Sequence, residues 1–336
     1  MRRPPLQLRP RTVVQLAANV RSLAAHLHGI GCRGCIAFSY PAAFRMALAV
    51  RRNGIHPLWF TSFSVDRPAA GQRRWRALAL RMIARSGTTA ICPSAFAAGE
   101  LARLGYPARQ LRMIPNAIDV QRFAAAVMDA ASKREFRRRF GLPQDEFLIV
   151  CVARVDPLKN HALLLRALSV ARRAGARVSL ACLGGVDPGH QAYAEQLRRL
   201  SAQLAVSAAV HWLGWQEDVV PWLAAADAAA LVSHIEAAPL ALLEAGAAGL
   251  PLLATAVGGN VEVVLQNQTG LLFQPDEVDA CAAAIVRLSR DDNERRRLGQ
   301  QAQRHVREHF SLARISVTWM EILADVVRDE PSRTSA

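Results

Sequence analysis

The feature that most constrains this chain is an alternation of short apolar runs with helical stretches, repeated twice along 336 residues. Val13, Leu16, Ala17, Val20, Leu23, Ala24 and Leu27 recur at three- and four-residue steps, the stripe of an amphipathic helix. After it, 35–39 reads as a buried strand, 41–53 as a helix, 56–61 as a strand, 70–86 as a helix, 88–92 as a strand, 95–105 as a helix and 111–114 as a strand. The second half repeats the rhythm, with strands expected at 147–153, 177–183, 209–213, 228–232 and 252–255 and helices between them. Strands that alternate with helices pair in parallel and are covered on both faces. The expected fold is therefore α/β, with two doubly wound, Rossmann-like parallel-sheet domains over 1–130 and 147–310. The charged stretch 131–146, ending in Gly141, Leu142 and Pro143, reads as their linker, and 311–336 as a C-terminal helix packing back, followed by a disordered tail.

Composition agrees with two hydrophobic cores: 51% hydrophobic against 21% charged residues excludes a disordered chain. The net charge of +15 is unevenly placed. Residues 1–130 carry 19 arginines, no lysine and four acids, so the remainder is neutral. Either the basic half meets something anionic, such as a membrane leaflet or lipid phosphate, or its arginines decorate solvated helix faces. Nucleic acid is not expected, because the segment holds no recognised binding module and little aromatic stacking surface. The six cysteines are scattered. Cys32 and Cys35 have the spacing of half a zinc site, but no second pair follows at metal spacing, so no metal is expected. Residues 238–257 are nearly all apolar, yet Glu244, Pro239, Pro251 and Gly246 argue for a buried helix in an α/β domain over a membrane span. The opening residues carry no apolar leader, which predicts a cytoplasmic location.

In doubly wound sheets the chemistry sits in loops after strands, here at a cleft expected between the domains. Three such loops stand out. One after 147–153 places Arg154 and Lys159 five residues apart; one after 228–232 carries Glu236, Ala237, Ala238 and Pro239; one after 252–255 carries Gly258, Gly259 and Asn260. Pro239 suits the first turn of a helix, which leaves Glu236 at the helix mouth and Glu244 about 7.5 Å deeper along the axis. Free N–H groups at that mouth favour a phosphate, cations opposite would hold a diphosphate, and carboxylates would accept hydrogen bonds from a polyol. That combination fits a sugar nucleotide. His234, beside Glu236, is a further candidate for the cleft, whereas His161 reads as a packing residue.

Glu236 and Glu244 with Gly249 and Pro251, Arg154 with Lys159, the segment from Ile114 to Asp119, and Gly258, Gly259, Asn260 and Glu262 resemble, in order and spacing, the retaining glycosyltransferases of the large family 4 group, over roughly residues 88–310. The resemblance implies the GT-B fold. It also implies that Arg154 and Lys159 neutralise the leaving diphosphate, that Glu236 holds the donor sugar and that Glu244 holds the ribose. Gly258, Gly259 and Asn260, the backbone of Ala237, Ala238 and Pro239, and Gly184 would then pack against sugar, phosphate and base. Neither metal nor cofactor is implied, because the cation pair does what a divalent ion does elsewhere. Ala237 stands where members usually have glycine. Ser62, Phe63 and Ser64 stand where a histidine is expected, and the first residues lack the usual strand and Gly-rich loop, so the N-terminal domain reads as reduced.

The expected function is retaining transfer of a hexose from a nucleotide-sugar to a cell-surface glycan or lipid-linked acceptor such as lipopolysaccharide or exopolysaccharide. The enzyme would work in the cytoplasm or peripherally on the inner face of the membrane, with its Arg-rich half on anionic lipid. The alternative is a catalytically weak sugar-nucleotide-binding scaffold or partner subunit, motivated by the reduced N-terminal domain.

Overall fold

Every strand pair among the described residues is parallel, and the strands form two separate sheets. The computed structural model describes residues 10–50, 55–61 and 70–328. It divides into two units, one formed by the described residues up to Pro115 and from Ile315 onward, the other spanning Asn116–Arg314.

The first unit holds β1 (Gly34–Ala37), β2 (His56–Phe60), β3 (Thr89–Cys92) and β4 (Leu111–Met113), side by side in chain order. Parallel neighbours need a crossover each time, and helices Tyr40–Ala49, Ala70–Arg85 and Ala95–Arg103 supply them. Two of these start at serine caps: Ser39 accepts from the Ala42 N–H and Ser94 from the Ala97 N–H. Met46, Trp59, Ile83, Ala90 and Leu101 meet in the core. The C-terminal helix Leu312–Arg328 joins this unit through buried Ile315 and through Trp319, whose ring stacks 6.1 Å from Phe60.

The second unit is a six-stranded sheet in the order β10-β9-β8-β5-β6-β7, with β5 (Phe147–Val152), β6 (Val178–Leu183), β7 (Val210–Gly214), β8 (Ala228–Leu231), β9 (Leu252–Thr255) and β10 (Gly270–Phe273). The chain runs outward from β5 to β7, then returns to β8 on the other side of β5. The loops after β5 and β8 therefore leave the sheet in opposite directions, and their divergence opens a crevice at the strands' C-terminal ends. Helices cover both faces, which is why β5, β6, β8 and β9 are buried almost throughout.

Residues 131–146 are not a linker. Ala130–Arg139 is a helix capped by Asp129, and Phe136 and Phe140 lie 5.1 and 4.6 Å from the Trp222 ring. Arg137, only 4% exposed, donates to Ala225 O, Glu146 O and Asp227 Oδ2. The dense charge of this helix conceals one face that belongs to the core. The division between units falls earlier than expected, at 115/116, because Ile118, Val120 and Phe123 are part of the larger core. Serines 62 and 64 with Phe63, the opening residues 1–9 and the expected tail 329–336 lie outside the described residues. Among the described residues no helix is long and apolar enough to cross a membrane.

Candidate active site

At the crevice of the six-stranded sheet lies a cavity of about 580 Å³, formed wholly within the Asn116–Arg314 unit. Its wall includes Arg154, Lys159, Gly184, Glu236, Ala238, Pro239 and Glu244, so seven of the residues expected from sequence meet in one place. Ala237, Gly258, Gly259 and Asn260 are not part of that wall.

The loop after β5 brings the two cations. Asp156 caps a short 3-10 turn, Pro157–Lys159, by accepting from the Leu158 N–H, and Asn160 then takes a left-handed conformation to start the helix His161–Arg173. This turn aims Lys159 across the crevice, where its Nζ lies 2.6 Å from Glu236 Oε2. Ser233 Oγ donates to the same oxygen over 3.0 Å. Arg154 points the other way. Its guanidinium is ion-paired with Asp187 in the loop after β6 and lies 3.6 Å from Asp156 Oδ2.

The loop after β8 ends at the helix Leu240–Ala247, for which Pro239 is the N-cap residue, one position before the first turn expected for it. Pro239, Leu240 and Ala241 line the cavity, so unpaired N–H groups and the positive end of the helix dipole border it. Asn116 Nδ2 donates to Ala238 O over 3.3 Å, bracing this loop rather than only shaping the turn before the expected linker. Glu244 sits on the cavity side of the helix. Burial pushes its carboxyl above the usual range, and nearby Arg122 opposes that rise. Arg122 is itself ion-paired with Asp218 at 2.9 Å.

Two glycines are dictated by close approach. Gly184 has φ +151, and a Cβ there would lie 2.0 Å from Ala153 O; a Cβ on Gly259 would lie 2.2 Å from Ala237 O. Gly259 N also donates to Glu236 O, so the loop after β9 positions the Glu236 loop from behind. Asn260 serves the same purpose. Its side chain is fully buried and donates to Thr255 O, while Thr255 Oγ1 donates to Ser233 O.

His234 is exposed and outside the cavity wall, while His161 is fully buried against Trp212. Arg122 and the ionic partner Asp187 were not singled out from sequence, because nothing local marks a surface arginine or aspartate whose partner is tens of residues away. Trp215, 73% exposed, also lines the cavity. Chemically, the site offers two cations and a helix mouth for an anion, and two carboxylates for hydroxyls.

A family model for glycosyl transferases group 1 matches residues 132–305, and a second, glycosyltransferase family 4, matches residues 2–122. A D-inositol 3-phosphate glycosyltransferase of Xylanimonas cellulosilytica is 32% identical over 240 residues, covering 70% of this chain and 56% of the relative. The chain spans about half the length of the curated relatives it matches. In fold it is similar to HepE of Anabaena in complex with UDP (TM-score 0.83, 21% identity, 93% of this chain and 83% of that one). It is also similar to sucrose-phosphate synthase of Thermosynechococcus elongatus (TM-score 0.80, 23% identity, 98% and 82%). The architecture is therefore GT-B, two Rossmann-like parallel-sheet units of four and six strands. With half of its length matched by that model and the cation and carboxylate pairs lining one crevice, the chain belongs to the glycosyl transferases group 1 family.

Proposed function

We propose that this protein transfers a hexose, with retention of anomeric configuration, from a UDP-linked donor to a hydroxyl of a cell-surface glycan or lipid-linked saccharide. The observation that carries the reading is the gathering of Arg154, Lys159, Glu236 and Glu244 around one cavity at the end of a helix. The diphosphate sits between the two cations and the N-terminal N–H groups of Leu240–Ala247, each charge-assisted hydrogen bond contributing about 1.5–3 kcal/mol. Glu244 accepts from the ribose hydroxyls and Glu236 from those of the sugar. As the bond from the anomeric carbon to the β-phosphate oxygen breaks, the acceptor oxygen bonds to the same face of that carbon. The acceptor's proton passes to the departing phosphate oxygen.

Lys159 and Arg154 meet the charge that develops on the leaving group, so the reaction proceeds without a divalent ion. Retained turnover in excess EDTA is the expected result, and loss restored by Mg²⁺ or Mn²⁺ would overturn this part. UDP is favoured because HepE, similar in fold, was solved with UDP. An acceptor at the inner face of a membrane is supported by the arginine excess of residues 1–130. Equal binding to anionic and neutral vesicles at low salt would remove that support.

The test is thermal unfolding of the full chain with UDP-, GDP-, ADP- and dTDP-sugars, beside Glu244→Ala. A donor at 100 times its dissociation constant adds about 2.7 kcal/mol of stability. UDP-sugars are expected to raise the melting temperature of the wild type and not of the variant. No response to any donor would sink the reading, and a response without turnover on any acceptor would leave a sugar-nucleotide-binding scaffold.

A further inference from the structure

The charges around the diphosphate subsite do not favour an anion as they stand. Arg154 and Lys159 are faced by three carboxylates: Glu236 on Lys159, and Asp156 and Asp187 on Arg154. The carboxylate partners of these two cations outnumber them by one, so a dianionic diphosphate competes with carboxylates already in place.

The three acids differ in what else they do. Asp156 is buried and caps the 3-10 turn that carries Lys159, so releasing it would dismantle that turn. Glu236 faces the cavity and is held by Ser233 as well as by Lys159. The Asp187 carboxylate, by contrast, contacts Arg154 and, at 4.0 Å, His190. It is not part of the cavity wall, whereas Arg154 is. The loops that carry this pair are clasped by their backbones, Val155 N donating to Gly185 O over 2.9 Å beside a bridge between Val155 and Val186. The clasp holds Asp187 opposite Arg154 at the cavity's rim.

We propose that Asp187 is an internal counter-ion that occupies Arg154 in the donor-free protein and is displaced by the donor's diphosphate. Asp187 thus sets the affinity and selectivity of the anion subsite. A weak anion such as free phosphate cannot displace the intramolecular carboxylate, while a diphosphate that engages Lys159, the helix mouth and Arg154 together can. This inference rests on the donor-site reading above.

The experiment is calorimetric titration of the full chain with UDP, for wild type, Asp187→Asn and Asp187→Glu. Removing the charge is expected to tighten UDP binding about five- to tenfold, the size expected for one unit charge lifted from a half-exposed anion site. The glutamate variant, which keeps the charge, is expected to bind like wild type. In a ligand-free readout, phenylglyoxal should modify Arg154 faster in Asp187→Asn than in wild type, followed by peptide mass spectrometry. Wild-type binding with an asparagine variant that binds equally or more weakly would overturn the counter-ion and make Asp187 a support for Arg154. If neither protein binds UDP, the donor-site reading itself fails, and the counter-ion role falls with it.

Discussion

Lys159 Nζ and Glu236 Oε2 stand 2.6 Å apart, joining the loop after β5 to the loop after β8 across the point where the sheet order reverses, with side chains only 21% and 15% exposed. A pair so little exposed is costly to break from one side, because the remaining charge is left without a partner. Lys159→Ala and Glu236→Ala are each expected to destabilise the protein by about 1–3 kcal/mol and to lower turnover by roughly 10²- to 10³-fold. The double variant should recover much of the stability and none of the activity. Melting temperatures and initial rates across the four proteins check this; additive losses of stability would show that the two side chains do not act as a pair.

Glu244 gives a prediction of opposite sign. Burial raises its pKa above the ordinary 4.5, so the folded protein binds its proton more readily than the unfolded chain. Stability contributed by this group is therefore present at low pH and lost as pH rises through the folded value. At neutral pH the ionised, half-buried carboxylate opposes folding. Glu244→Gln is expected to melt above wild type at pH 7 without donor, the gap closing as pH falls toward 4.5, and to lose the stabilisation by UDP. A variant that melts below wild type at pH 7 would contradict the sign.

Much of the fold was open to reading from the chain, and the exceptions share a cause. Nine strands stand out as apolar runs, whereas β10 has only Leu271, Leu272 and Phe273 after its glycine, too short to separate from a loop. The helix Ala130–Arg139 reads as a linker because its inward face is carried by buried Arg137 and half-buried Phe136, whose partners Asp227 and Trp222 lie some 80 to 90 residues on. In the site, Arg154, Lys159, Glu236 and Glu244 are legible because each sits on, or one helix beyond, a loop after a strand. Asn260 and Gly259 were expected to touch the donor. They also hold the backbone and side-chain network behind Glu236, a role that only the hydrogen bonds to Thr255 and Glu236 reveal.

Arg137 fixes that misread helix to the sheet. Its guanidinium donates to the carbonyls of Ala225, Gln144 and Glu146 and pairs with Asp227 Oδ2 at 2.7 Å, and the same carboxylate oxygen accepts from the Leu148 N–H at the start of β5. Arg137→Ala removes a donor from all four acceptors at once and is expected to cost about 3–5 kcal/mol. Arg137→Lys, which cannot match the planar fork, should recover less than half of the loss. Urea unfolding of both variants measures this, and a cost below 1 kcal/mol for alanine would mean the helix is held by Phe136 and Phe140 alone.

His161, two residues after Lys159 and packed in the core of the same unit, sets the acid tolerance of the fold. It is fully buried at the start of the helix His161–Arg173, with Nε2 4.0 Å from Cys151 Sγ and its ring 6.0 Å from Trp212. Burial lowers its pKa from 6.5 to about 4, with Lys159 adding to the fall and Asp156 opposing it. The unfolded chain then takes up a proton below pH 6.5 that the folded protein refuses until about pH 4, so stability drops as pH falls through that window. The drop amounts to roughly 2–3 kcal/mol by pH 4.5. His161→Leu, which fills the apolar space without a titrating group, should flatten that part of the profile. The two proteins should therefore differ more at pH 4.5 than at pH 7.5 in denaturant unfolding, with the histidine form losing ground. Parallel profiles would show instead that the imidazole is reached by water, and that the loop carrying Lys159 opens more readily than its packing implies.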